Sequence, residues 1–177
     1  MKYLMLLLSF LPVTLIGQAE WTLFHPEDKS FKILSPGNME WGIKHTLTDL
    51  GELKTQTYLH KGTEENPEII YIVNYTDYPN ESLDADSTEL LEDFFQTSLE
   101  GIIEKLDGEL LYYADISNIY VPQKMYRISY NKGQALVKGI FLIYRDRFYS
   151  IQVFTSFSKS NSPEVDKFLL SFRVSKN

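Results

Sequence analysis

Cysteine is absent from the 177-residue chain. That excludes thiol nucleophiles, thiolate metal sites and disulfide stapling, so packing alone must supply stability. Catalytic signatures are missing too. There is no G-x-S-x-G elbow, no G-x-x-x-x-G-K-S/T phosphate loop and no G-x-G-x-x-G dinucleotide turn. Basic excess is missing: the net charge is −7 and the pI is near 5.0, unlike a general nucleic-acid binder. Repeats, low-complexity tracts and proline-rich linkers are absent, which favours one domain. Histidine is scarce, at positions 25, 45 and 60.

What the chain has is apolar and aromatic: 12 Tyr, 11 Phe and 2 Trp in a composition 44% hydrophobic. One apolar run stands apart. Lys2 precedes Leu4 to Ile16, and Gly17 and Ala19 put small residues before Glu20. Those features describe a secretory signal peptide cleaved after Ala19. A membrane span needs about 20 apolar residues, and this run is shorter and contains Pro12. The expectation is a signal peptide over 1–19 and a single domain over 20–177. The product would be exported to the periplasm or beyond the cell, without stable membrane insertion.

Periodicity predicts the elements that follow. Trp21 to Phe24 reads as a lead-in, and Phe31 to Leu34 as a short strand. Met39 to Leu47 and Glu52 to Lys61 read as a hairpin around Asp49, Leu50 and Gly51. Glu68 to Tyr78 alternates Ile69, Tyr71, Val73 and Tyr75 against Ile70 and Ile72, a strand apolar on both faces. Leu91, Phe94, Phe95, Leu99, Ile102, Ile103 and Leu106 recur at three- and four-residue steps, which predicts a helix. Asp86 or Ser87 would cap it, Glu89 could complete a capping box with Asp86, and Gly108 would end it. The segments 110–116, 120–131, 134–144 and 147–157 read as four strands with hairpin turns at Asn131–Gly133 and Arg145–Asp146. A last helix starts at Ser162 with Pro163 at its first position. The fold class is α+β: an antiparallel sheet of about six to eight strands sandwiched by helices.

This pattern resembles the PsbP-like family, an α/β/α sandwich shared with the Ran-binding Mog protein and several exported bacterial proteins. The residues that carry the resemblance are Phe31–Lys32–Ile33–Leu34–Ser35–Pro36, the Ile69–Tyr75 strand before a long helix, Tyr126–Arg127–Ile128–Ser129–Tyr130, Arg147–Phe148–Tyr149–Ser150–Ile151 and Phe168–Leu169–Leu170–Ser171–Phe172–Arg173. The tryptophan that often follows the opening proline is missing, since Pro36 precedes Gly37, Asn38 and Met39. The resemblance implies an accessory or binding role and carries over no catalytic motif. The expected function is therefore a non-catalytic module contacting another protein of the cell envelope, with no cofactor. A small-ligand carrier, for a glycan, peptide or lipid-like molecule, is the alternative.

Two sets of residues are candidates for contact. From 20 to 118 there are 6 basic and 21 acidic residues, net −15; from 119 to 177 there are 10 basic and 3 acidic, net +7. All four arginines fall in the basic half, and arginine suits carboxylate and phosphate recognition. Arg127, Lys138, Arg145 and Arg147 are the candidate partner-binding basic patch. Three arrangements are open: a dipolar docking surface, halves that interleave and neutralise each other, or Arg127 and Arg147 paired with buried acids. Trp41 and Tyr58 are the candidate aromatic cleft, between the 39–61 hairpin and the sheet. The histidines offer no evident metal site. With the hairpin turning at 49–51, His45 falls opposite Thr55 or Gln56 and His60 opposite Glu40 or Trp41. That is an offset of about 13–17 Å at about 3.3 Å per residue.

Overall fold

Alternating apolar residues make a sheet that buries part of each face, and the cover on the two faces differs. The computed structural model describes residues 21–62, 68–80, 82–83, 87–116 and 121–175. The expected leader at 1–19 and the expected capping residue Asp86 lie outside these residues. In chain order the strands are β1 (Thr22–Phe24), β2 (Phe31–Ser35), β3 (Glu40–Thr48), β4 (Gly51–Lys61) and β5 (Ile70–Asp77). Helix α1 (Thr88–Leu106) follows, then β6 (Glu109–Asp115), β7 (Gln123–Tyr130), β8 (Ala135–Tyr144) and β9 (Arg147–Ser156). A 3-10 turn (Phe157–Lys159), α2 (Pro163–Ser171) and β10 (Arg173–Val174) complete the order.

Seven strands form one antiparallel sheet in the order β3-β4-β5-β9-β8-β7-β6, and β1, β2 and β10 form a small second sheet. On one face, Tyr58, Tyr71, Val73, Tyr75, Tyr149, Ile151 and Val153 pack against Phe31 and Ile33 of β2 and against Val165, Phe168 and Leu169 of α2. On the other, Tyr126, Ile128, Val137, Phe141 and Ile143 pack against Leu91, Phe95 and Leu99 of α1. The product is the expected α+β sandwich, with one layer contributed jointly by α2 and the small sheet. Ile70 and Ile72 are only half-buried, because the residues facing α1 come mainly from β7 and β8.

Local differences from the sequence reading have physical causes. The β3–β4 hairpin closes with Thr48 opposite Gly51, leaving only Asp49 and Leu50 in the loop. His45 is therefore opposite Lys54, one position earlier than expected. Helix α1 is capped by Ser87, whose Oγ accepts from the Leu90 N–H. At its other end Asp107 itself takes the left-handed conformation, with φ 48°. Gly108 serves a different need: a Cβ there would come within 2.6 Å of Ile128 Cγ2. The short pairings of β1 and β10 with β2 were not legible from periodicity.

The row Tyr126–Gly139–Gln152 crosses β7, β8 and β9 in register. The missing side chain at Gly139 lets the buried Tyr126 ring lie over β8, where the Gln152 amide donates to its hydroxyl at 2.6 Å. A Cβ at Gly139 would approach Tyr126 Cζ and Oη to 2.4 Å. Gly139→Ala is expected to destabilise the protein by about 1–3 kcal/mol in urea unfolding, as overpacking does. Wild-type stability would show that the ring moves aside freely.

Candidate functional site

The loop joining β1 to β2 folds over one end of the sheet and builds a charged knot there. Arg147 begins β9 and stands directly opposite Asp77, the last residue of β5. Its guanidinium forks onto that carboxylate, with Nε–Oδ1 at 2.5 Å and Nη2–Oδ2 at 2.9 Å. Nη1 donates to Asp28 Oδ2 at 3.0 Å. The Tyr75 hydroxyl donates to the same Asp28 oxygen at 3.1 Å. The other Asp28 oxygen accepts from the Ser30 backbone N–H at 3.0 Å, which fixes the loop. The guanidinium also lies 4.3 Å from the Tyr75 ring centroid.

Protonation states follow. Burial pushes the Asp28 carboxyl up, but donors from Ser30, Arg147 and Tyr75 together hold it below the ordinary carboxylate value. Burial works against the Arg147 charge too, and its hydrogen bonds to Asp77 and Tyr149 outweigh that, so its pKa rises. Burial, and then the charge of Asp28, push the Tyr75 hydroxyl well above its usual range. Tyr75 therefore stays a donor at neutral pH.

Beside this knot lies a cleft of about 570 Å³, lined by Phe24, His25, Pro26, Glu27, Asp28, Met39, Trp41, Gln56, Tyr58 and Tyr75. Its residues come from the end of β1 and the β1–β2 loop, from the β3–β4 hairpin and the residue before it, and from Tyr75 of β5. Trp41 stands opposite Tyr58 on adjacent strands. Its indole is 60% exposed, and its Nε1 donates to Gln56 Oε1 at 3.2 Å, which holds the ring at the rim. Tyr58 is buried and stacks with Tyr75 at a centroid distance of 6.3 Å. The cleft thus offers aromatic surfaces with carboxylates at one lip. On the far side of Asp28 and Arg147 a second cavity of about 480 Å³ is lined by Asp77, Tyr144, Arg145 and Tyr149, among others.

The four basic candidates are divided between two places. Arg145 and Arg147 sit at the β8–β9 turn, where Arg145 has φ 55° and its guanidinium lies over the Tyr144 ring. Arg127 and Lys138 are cross-strand neighbours on β7 and β8. Along β8, Lys138 is about 20 Å from the turn at about 3.3 Å per residue. Lys138 is bonded to Asp166 of α2 at 2.5 Å, and Arg147 is held by Asp28 and Asp77. Arg127 has no acidic partner among the described residues, and its Nε is buried without a hydrogen bond. Trp41 and Tyr58, by contrast, line one cleft. Asp28, Tyr75 and Asp77 were missed by sequence reasoning, because their roles arise from strand pairing across 70 residues and from a loop closing over 119. Among the described residues, no three His, Asp or Glu side chains converge on a metal-sized point.

No protein-family model matches the chain, and no curated protein matches it. Solved structures do. The solution structure of the cyanobacterial PsbP protein from Synechocystis sp. PCC 6803 superposes with a TM-score of 0.59 at 11% identity, covering 90% of this chain and 95% of that one. The Ran-binding protein Mog1p of Saccharomyces cerevisiae gives 0.46 at 11% identity, covering 88% and 96%. A Pseudomonas aeruginosa protein of unknown function gives 0.43 at 12% identity, covering 81% and 88%. The likeness to cyanobacterial PsbP shows that this chain has the PsbP-like fold.

The knot has a measurable pH signature. A carboxyl whose folded pKa is depressed adds stability above its unfolded value of about 3.9 and loses it as pH falls through the folded value. Asp28→Asn is therefore expected to be less stable than wild type at pH 7, with the gap closing as pH falls below about 4. Denaturant melts across that range measure it. A gap that stays constant would show that Asp28 is not held as an anion by its donors.

Proposed function

We propose that this is an exported, non-catalytic binding module whose aromatic cleft contacts another protein of the cell envelope. The observation that carries the reading is Trp41, a large apolar side chain held half out of the surface over buried Tyr58 and Tyr75. Interface anchors are enriched in Trp and Tyr because such rings bury much area at little entropic cost. The basic candidates are less available for docking, since Lys138 and Arg147 already neutralise acids of their own fold. The charge halves interleave where β5 pairs with β9. Export rests on the leader-like segment, and the mature protein would begin at Glu20.

A second reading, a small-ligand carrier, is favoured by the cleft's volume of about 570 Å³, within the usual range of about 300–1,000 Å³ for ligand sites.

Affinity capture from the envelope fraction separates the readings. Wild type and Lys138→Gln should retain one protein partner, and Trp41→Ala should lose it about tenfold or more, as truncation of an anchor does. Retention by Trp41→Ala with loss in Lys138→Gln would contradict the cleft. Capture of nothing, with tryptophan fluorescence quenched by a glycan or peptide in wild type but not in Trp41→Phe, where Trp21 remains the reporter, would replace the protein partner with a ligand. Amino-terminal sequencing of the exported product should read Glu20 first; an intact Met1 would contradict export by cleavage.

A further inference from the structure

The two edges of the main sheet are built differently. At one edge, the pairing of β6 with β7 shifts between Leu110 and Tyr112, and a Lys124 salt bridge ties Asp115 to Glu92 of α1. At the other, β3 pairs with β4 through nine successive positions without a shift. The outer side of β3 is unpaired among the described residues. It carries no proline and no bulge, and Trp41, Ile43 and Leu47 are 60%, 46% and 85% exposed. Edges that stay single are normally blunted by bulges, prolines or clustered charge. This edge has only Glu40, Lys44 and His45 for that purpose.

Gly42 is the second unusual feature. Glycine in the middle of a strand weakens it, and one usually marks a close approach of another backbone. Nothing inside the fold requires it: its φ is not left-handed, and a Cβ there would meet no atom within 4 Å. On either side of it, Glu40 and Lys44 share one face of the strand, and Trp41 and Ile43 share the other.

We infer that β3 is the pairing edge for a second copy of this chain, running antiparallel with the two-fold axis at Gly42. That register sets Glu40 opposite Lys44 of the second copy and Trp41 opposite its Ile43, each contact occurring twice by symmetry. Opposite charges and apolar pairs placed directly across strands are the units that stabilise a sheet. Neighbouring registers lack this match. Centring on Ile43 leaves Glu40 opposite Thr46, and centring on Lys44 sets Lys44 against itself. The backbone groups of the free edge supply the remaining hydrogen bonds, as in strand addition. The two sheets then run on as one. The charge pairs of this register can be altered without touching the cleft, because Glu40 and Lys44 lie on the opposite face from Trp41.

Sedimentation equilibrium of the purified protein tests it, with charge swaps at exposed positions that leave the fold intact. Wild type is expected to dimerise reversibly, increasingly weakly as salt rises. Lys44→Glu should weaken dimerisation about tenfold or more, by replacing two attractive pairs with two repulsive ones. The double variant Glu40→Lys/Lys44→Glu should recover most of the wild-type affinity. A wild type that stays monomeric up to about 1 mM overturns the inference. So does a Lys44→Glu dimer as tight as wild type, or a double variant no tighter than the single one. Protection of β3 amides by a different protein, with no self-association, would assign the edge to that protein and overturn it as well.

Discussion

A single guanidinium joins the main sheet to the layer of the small sheet at the end where the cleft lies. Arg147 is mostly buried, with 23% of its side chain exposed, so its charge has lost much of its water. Such a group is tolerated only when geometry returns hydrogen bonds and opposite charge. Asp77 does so from the neighbouring strand through a bidentate fork, the arrangement that arginine's planar donors suit. Asp28 does so from a loop of the other layer. Asp28 also accepts from the Ser30 N–H of the same loop, which sets the turn that presents the carboxylate to Arg147 and Tyr75. Lys29 adopts φ 52° inside this turn, and Phe31, the next buried residue, packs on Tyr58, Tyr75 and Tyr149. The cleft wall, the loop and the aromatic core thus share one electrostatic anchor.

That anchor changes the meaning of the charge split. A net −15 half and a net +7 half look like a dipole when the chain is read linearly. Antiparallel topology folds the halves together. β5 of the acidic half pairs along its whole length with β9 of the basic half. Lys124 likewise reaches Glu92 of α1 and Asp115 of β6, both in the acidic half. Summed charge is a property of sequence, whereas surface potential depends on which strand lies beside which. Sequence reasoning held the interleaved arrangement open and could not decide it.

Local patterns were more legible. The stripe of α1 and the alternation of β5, β7 and β9 are set by residues a few positions apart, so periodicity reaches them. The helix terminus was read less well, because Asp107 could take the left-handed conformation that glycine was expected to fill, while Gly108 was needed for close packing on Ile128. Strands as short as β1 and β10 have too few residues to show a period; they exist because β2 offers both its edges. Trp41 and Tyr58 were reachable because the hairpin is local and its aromatics stand on one face. Their roof, from Phe24 to Asp28, came from a lead-in whose path depends on Arg147.

The central claim is that Arg147 acts as an internal clamp that shapes the cleft. Hydrogen–deuterium exchange at the Ser30 amide is the most direct measurement, comparing wild type with Arg147→Met. The clamp predicts that the Ser30 amide, bonded to Asp28, exchanges markedly faster in the variant, together with the rest of the 26–30 loop, while the amides of α1 keep their protection. Unchanged exchange at Ser30 would contradict it and return Arg147 to the role of a surface cation.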